Sequence, residues 1–182
     1  MKSQALPVRD AHGGALPYSA VMRAPFALLG LRTDARALTG LAYLPRTAAV
    51  RAPADRIAER AVREIERYLD DAAFEFTLPL APGGTPFQRR VWDAIRAIPL
   101  RESRTYGEIA RAVRSAPRAI GQACGANRIA IIIPCHRVVG SRGALGGFMG
   151  EAGPDRRAEA GASEPLAIKR WLLTHEGYRF GA

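Results

Sequence analysis

A chain of 182 residues, 48% of them hydrophobic, can bury one substantial core or two small ones without help from metals or disulfides. Its two cysteines, Cys124 and Cys135, are too few for a disulfide framework and lack the histidines of a zinc site, so no metal or other cofactor is expected and a reducing, cytoplasmic setting fits. The net charge of +10 is unevenly placed, +2 over residues 1–85 and +8 over residues 86–182; the second half is therefore expected to meet a polyanion, although an Ala- and Arg-heavy composition also follows a GC-rich coding preference.

The first twenty residues hold no apolar run long enough for a signal or a membrane span, so a protein without a membrane partner is expected. Short β-type runs follow at Ser19–Met22, Phe26–Leu31 and Leu38–Leu44, broken by Pro25 and by the Thr33-Asp34 turn. Over residues 53–70, Ile57, Ala61, Ile65 and Leu69 recur at four-residue steps beside Ala58 and Val62, which predicts an amphipathic helix on that sheet. Phe74, Phe76 and Leu78 alternate as in a strand, and Pro79 with Pro82-Gly83-Gly84 ends it. A domain boundary is placed near residues 80–86, giving an N-terminal α/β domain over 1–85 and a second domain over 86–182.

The second half opens with Phe87, Val91, Ile95 and Ile98 at helical spacing, flanked by Trp92 and stopped by Pro99. Tyr106–Val113 reads as a short helix, and Ser115 as the cap of another that runs to about Asn127 with Pro117 in its first turn. Two short helices across a tight turn suggest helix-turn-helix. The β-branched run Ile129–Ile133 reads as a buried strand closed by Pro134, and residues 166–175 as a last helix ended by Gly177.

The sharpest chemical feature is Pro134-Cys135-His136-Arg137, since a thiol beside an imidazole, with an Arg adding positive field, is how a thiolate nucleophile is made available near neutral pH. A buried structural cysteine with a chance histidine neighbour is the competing reading of an isolated Cys-His pair. Neighbours on extended backbone face opposite ways, so a bridging water is the natural link between Cys135 and His136, and Glu176 is a candidate acceptor to orient the imidazole.

Four stretches in this order carry a family resemblance. They are Arg104-Thr105-Tyr106-Gly107-Glu108-Ile109-Ala110, Arg118-Ala119-Ile120-Gly121 with Asn127, Pro134-Cys135-His136-Arg137-Val138, and Lys169-Arg170-Trp171-Leu172-Leu173 with His175-Glu176-Gly177. Together they resemble the O6-alkylguanine-DNA alkyltransferases over most of residues 86–180, whereas residues 1–85 resemble that family only in size and element order. The resemblance implies an α+β protein, with a ribonuclease H-like sheet and helix followed by a mostly helical, winged helix-turn-helix-like domain. It implies a single-turnover methylated-DNA–protein-cysteine methyltransferase that flips O6-alkylguanine out of duplex DNA and takes the alkyl group onto Cys135, with O4-alkylthymine as a second candidate lesion and a monomer as the working form. By the same resemblance Glu176, His136 and a water activate Cys135, Asn127 holds the turn that presents it, and Tyr106 protonates the base at N3. Val138, Phe148 and Met149 line the base pocket, and Arg118 fills the vacated stack. Ala119 and Gly121 let the second helix approach the sugar-phosphate wall without reading sequence.

Three departures from the family pattern stand out: Leu100-Arg101-Glu102-Ser103 occupies the place of a Gly before Tyr106, the turn before Pro117 is about two residues short, and residues 151–164 form an insertion. The insertion, rich in Gly, Ala and Pro, reads as a mobile loop that tunes substrate access and adds phosphate contact through Arg156-Arg157. Two other functions stay open from the residues: a cysteine hydrolase, for which no second partner is evident, and a non-catalytic damage sensor on the same fold, which the presence of Cys135 disfavours.

Overall fold

A computed structural model describes residues 18–34, 36–148 and 165–180; Met149 and the 151–164 insertion lie outside the described residues. The architecture is mixed α+β, in two compact units that part between Ala81 and Pro82.

In the first unit, β1 (Ala20–Arg23), β2 (Leu28–Thr33) and β3 (Leu38–Leu44) form an antiparallel sheet in sequence order, with Val21 opposite Gly30 and Leu29 opposite Tyr43. Helix α1 (Arg56–Asp70) packs on it and starts at Asp55, whose carboxylate accepts from the Ala58 N–H at 2.8 Å. Its buried face is Ala58, Ala61, Ile65 and Tyr68 with Glu64, while Ile57 and Leu69 stay half-buried, so the helix is rotated from the face that four-residue steps suggest. Glu64 is the cause. Its carboxylate accepts from Arg60 Nε at 2.7 Å and from the N–H groups of Thr77 and Leu78 at 2.8 and 3.0 Å. Those two backbone donors are thereby unavailable to a ladder, and residues 74–78 are not a strand despite their alternation. What remains is one parallel bridge, Leu38 to Leu80.

In the second unit, α2 (Pro86–Arg96) opens with a reciprocal Thr85–Gln88 capping box and buries Val91, Trp92 and Ile95. The Trp92 indole N–H donates to Ala123 O at 2.8 Å, which fastens α2 to α4 (Pro117–Gly125). Helix α3 (Tyr106–Ala112) has its own capping box from Thr105 and Glu108. Ser115 is not the cap of α4. That place is taken by Ala116 with no side-chain bond, because the Ser115 N–H closes α3 through Ala110 O at 2.8 Å and Pro117 at the first helical position has no N–H to satisfy. Two residues each of β4 (Arg104–Thr105) and β5 (Val138–Val139) pair in parallel, too short to show as alternation. Helix α5 (Pro165–His175) ends at Gly177, whose φ of +75° lets the Tyr178 N–H reach back to Leu173 O at 2.9 Å. No helix among the described residues is long and apolar enough to cross a membrane.

Candidate active site

The segment before Cys135 is a buried turn and not the strand its β-branched residues suggest. The Asn127 side chain supplies the partners that a neighbouring strand otherwise provides. Its Oδ1 accepts from the Ile129 N–H at 3.0 Å, and its Nδ2 donates to Ile133 O at 2.8 Å and to Cys135 Sγ at 3.3 Å. An Ile133 N–H to Ile129 O bond of 3.0 Å closes the turn. At its apex Ile131 is 2% exposed with φ +76°, a left-handed conformation that a β-branched residue adopts only when its surroundings impose it. The strain, on the order of 1–3 kcal/mol, is therefore held at the residues that present the thiol. Cys135 itself begins a 3₁₀ turn, Cys135–Arg137, and is 5% exposed.

That turn sends His136 and Arg137 to the same carboxylate. His136 is fully buried, and its Nε2 lies 2.8 Å from Glu176 Oε1 at the end of α5. Arg137 donates through Nε to Glu176 Oε2 at 2.8 Å and through Nη2 to Oε1 at 3.0 Å, while its Nη1 reaches Ile98 O at 2.6 Å. Burial opposes ionisation of Glu176, but the bonds and charges of His136 and Arg137 outweigh it and hold the carboxyl far below its usual range. For His136, burial dominates the support from Glu176, and the Arg137 and Lys169 charges add to it, so the imidazole is held neutral below its ordinary value. With Nε2–H donated to Glu176, the neutral ring keeps its lone pair on Nδ1, a buried atom without a hydrogen-bond partner among the described residues.

A second cluster faces Tyr106, the first residue of α3. Its hydroxyl donates to Gly147 O at 3.0 Å, and burial, with smaller contributions from the Cys124 and Cys135 thiols, raises its pKa well above the ordinary value, so it stays a proton donor. Gly146, at φ +65°, passes so close that a Cβ there would sit 3.0 Å from the Tyr106 ring. Val138 and Phe148 are buried nearby in sequence; Met149 is outside the described residues. Burial pushes the Cys124 thiol up, which leaves it protonated and unreactive beside Cys135.

On α4, Ile120, Ala123 and Cys124 face inward, whereas Arg118 is exposed, Ala119 and Gly121 are half-buried, and a Cβ on Gly121 would meet nothing within 4 Å. Arg111, Arg114 and Arg128, in the segments flanking α4, are also exposed. The structure thus brings Cys135, His136, Glu176 and Asn127 together and leaves Arg118 on an open, basic helix face. Two residues carry more than their sequence context revealed: Arg137, which is bonded to Glu176 on both oxygens, and Lys169, a fully buried lysine of α5. Lys169 had a legible signal. It stands with Ile168, Leu172 and Leu173 in the apolar stripe of α5, in a chain whose basic residues are otherwise arginine except for Lys2.

Residues 86–178 match the family model described as 6-O-methylguanine DNA methyltransferase, DNA binding domain. A methylated-DNA–protein-cysteine methyltransferase of Salmonella typhimurium is 48% identical over 104 residues, 56% of this chain, and the chain spans about half, 53%, of that relative's length. The methyltransferase of the same name from Methanosarcina acetivorans is 35% identical over 167 residues, 88% of this chain and 98% of that protein. Among solved structures, Mycobacterium tuberculosis OGT in complex with DNA aligns with a TM-score of 0.69 at 37% identity, covering 86% of this chain and 90% of that one. A model match over half the chain and an archaeal relative matched almost end to end agree with the cysteine site just described, and the chain belongs to the 6-O-methylguanine DNA methyltransferase family.

Proposed function

We propose that this protein repairs DNA by taking the alkyl group of O6-alkylguanine onto Cys135, once per molecule. The observation that carries the reading is the buried Cys135 turn, bonded by Asn127 and followed at once by a His136–Glu176–Arg137 network whose one unoccupied ring nitrogen is Nδ1. His136 Nδ1, through one water, accepts the thiol proton, and Glu176 stabilises the imidazolium that forms. The Cys135 sulfur then attacks the alkyl carbon. An S–C bond forms, the O6–C bond breaks, and its electron pair stays on the guanine oxygen. Tyr106 donates its hydroxyl proton to the base at N3, which improves guanine as a leaving group, and the Asn127 Nδ2–H steadies the developing charge on sulfur. A thioether does not hydrolyse, so the reaction is stoichiometric.

Residues 86–182 act as the DNA-binding and alkyl-acceptor domain and residues 1–85 as a separate α/β domain, of winged helix-turn-helix-like and ribonuclease H-like form respectively. Helices α3 and α4, joined by the four residues 113–116, supply the helix-turn-helix. Helix α4 approaches duplex DNA with Ala119 and Gly121 against the sugar-phosphate backbone, and Arg118 fills the space left by the extruded base. Val138, Phe148 and Met149 contribute the pocket wall. The working form is a cytoplasmic monomer, and O4-alkylthymine is a secondary substrate. Mass spectrometry after mixing with methylated duplex DNA tests the core of this: the protein gains about one methylene, located on the Cys135 peptide. Repeated turnover, as a cysteine hydrolase gives, or an unmodified protein overturns it.

A further inference from the structure

Lys169 is a charged side chain at the site to which this reaction gives no role. It is fully buried, and its three ammonium protons meet three backbone carbonyls: Val138 O at 2.6 Å, Leu145 O, and Gly147 O at 3.1 Å. Gly147 O is also the acceptor of the Tyr106 hydroxyl, at 3.0 Å, and the Lys169 Nζ lies 5.9 Å from the Tyr106 ring centre. A phenol has one proton to give. When it is given to a base, the bond to Gly147 must break, and a bound base excludes the water that would otherwise replace it. A carbonyl left without a donor in that setting costs about 1–3 kcal/mol.

We propose that Lys169 is a positioning residue that keeps the Gly147 carbonyl hydrogen-bonded while the Tyr106 hydroxyl transfers from it to the alkylated base. The idea rests on the role given above to Tyr106. The resting Tyr106–Gly147 bond holds the ring in place, and Lys169 makes breaking it inexpensive. The same ammonium ties β5 to the 145–147 loop through Val138 and Leu145, so the pocket wall keeps its shape during the exchange. Burial lowers the Lys169 pKa to about 8, so near pH 7 the ammonium form still predominates. The titratable groups that face it are Tyr106 from α3, Cys124 from α4, and Cys135 and His136 from the 3₁₀ turn.

A double-mutant cycle on single-turnover transfer from methylated duplex DNA tests this, with the Cys135 peptide mass as readout. In wild type, Lys169→Met leaves Gly147 bonded at rest but unbonded when the base is engaged, and transfer slows by about tenfold or more. In the Tyr106→Phe background Gly147 lacks the phenol bond both before and after base binding, so adding Lys169→Met slows transfer by less than about threefold. Equal slowing in the two backgrounds, or none in either, overturns the proposal and leaves Lys169 as packing alone. If Lys169→Met lacks the wild-type circular dichroism, Lys169→Leu, which likewise carries no donor, takes its place in the cycle, and Lys169→Gln, which retains amide donors, is expected to slow transfer less. Absence of transfer in the wild type defeats the alkyltransfer reading itself, whereas wild-type transfer with an additive cycle defeats only the role of Lys169.

Discussion

Replacing Asn127 separates the two tasks the side chain performs. Asn127→Ala removes its bonds to the Ile129 N–H, Ile133 O and Cys135 Sγ. The Ile129 N–H is then left without a partner where Ile129 is 0% exposed, while Ile133 O loses one of two donors and keeps the Cys135 N–H at 2.8 Å. At about 1–3 kcal/mol for the unsatisfied donor and about 0.5–1.5 kcal/mol for the bond lost from Ile133 O, the cost is about 1.5–4.5 kcal/mol, a large part of a typical domain's 5–15 kcal/mol. Relief of the left-handed Ile131 conformation, φ +76°, as the turn loosens brings the expected value to the lower half of that range. Asn127→Asp keeps the acceptor for Ile129 but loses both donations and sets a carboxylate at the place where Nδ2 now sits 3.3 Å from the sulfur. Like charges about 4 Å apart repel by up to about 4 kcal/mol at a near-surface effective dielectric, so transfer slows by as much as about a thousandfold. Urea unfolding followed by far-ultraviolet circular dichroism gives the stability of both variants, and quenched single-turnover assays give the rates. The Ala variant is expected to lose more stability and the Asp variant more rate. An Ala variant destabilised by less than about 1 kcal/mol, or an Asp variant that transfers at the wild-type rate, refutes the view that this side chain both builds the turn and steadies the thiolate.

Cys135→Ser is expected to bind methylated duplex DNA without gaining mass, and Cys124 to stay unlabelled in wild type, since burial keeps its thiol protonated; peptide mapping that finds alkyl on Cys124 contradicts this. Arg118→Ala is expected to slow repair of duplex DNA far more than reaction with free O6-benzylguanine, because the exposed guanidinium acts only on the stack, and equal losses remove it from that role. Acid should destabilise the fold in two steps of the same sign. His136 and Glu176 both bind protons less readily folded than at their ordinary values of 6.5 and 4.5, so the unfolded chain takes up more protons and stability falls as pH drops below about 6.5 and again below about 4.5. Urea midpoints measured from about pH 8 down to about pH 2.5 report this, and Glu176→Gln should flatten the lower step; a midpoint independent of pH in wild type argues against both assignments.

The parts of this protein that were legible in its residues are those whose signal is local. Helices α2 and α5 follow from apolar spacing within a few turns, β1 to β3 from alternation and turn residues, and Cys135-His136 from adjacency alone. The tertiary structure decided wherever a side chain replaces a backbone partner. Ile129–Ile133 has the composition of a strand, yet its hydrogen bonds go to Asn127, and Phe74–Leu78 alternates like one, yet its donors go to Glu64. Neither choice is visible in periodicity, which reports burial and not the identity of a hydrogen-bond partner. The same holds for the site. His136, Arg137 and Glu176 meet across about forty positions, and Lys169 meets Val138, Leu145 and Gly147 across 22 to 31, because β5 and the 3₁₀ turn pack beside α5. Which charged groups are buried together, and so which are held neutral or ionised, is a property of that packing and of the low dielectric it creates.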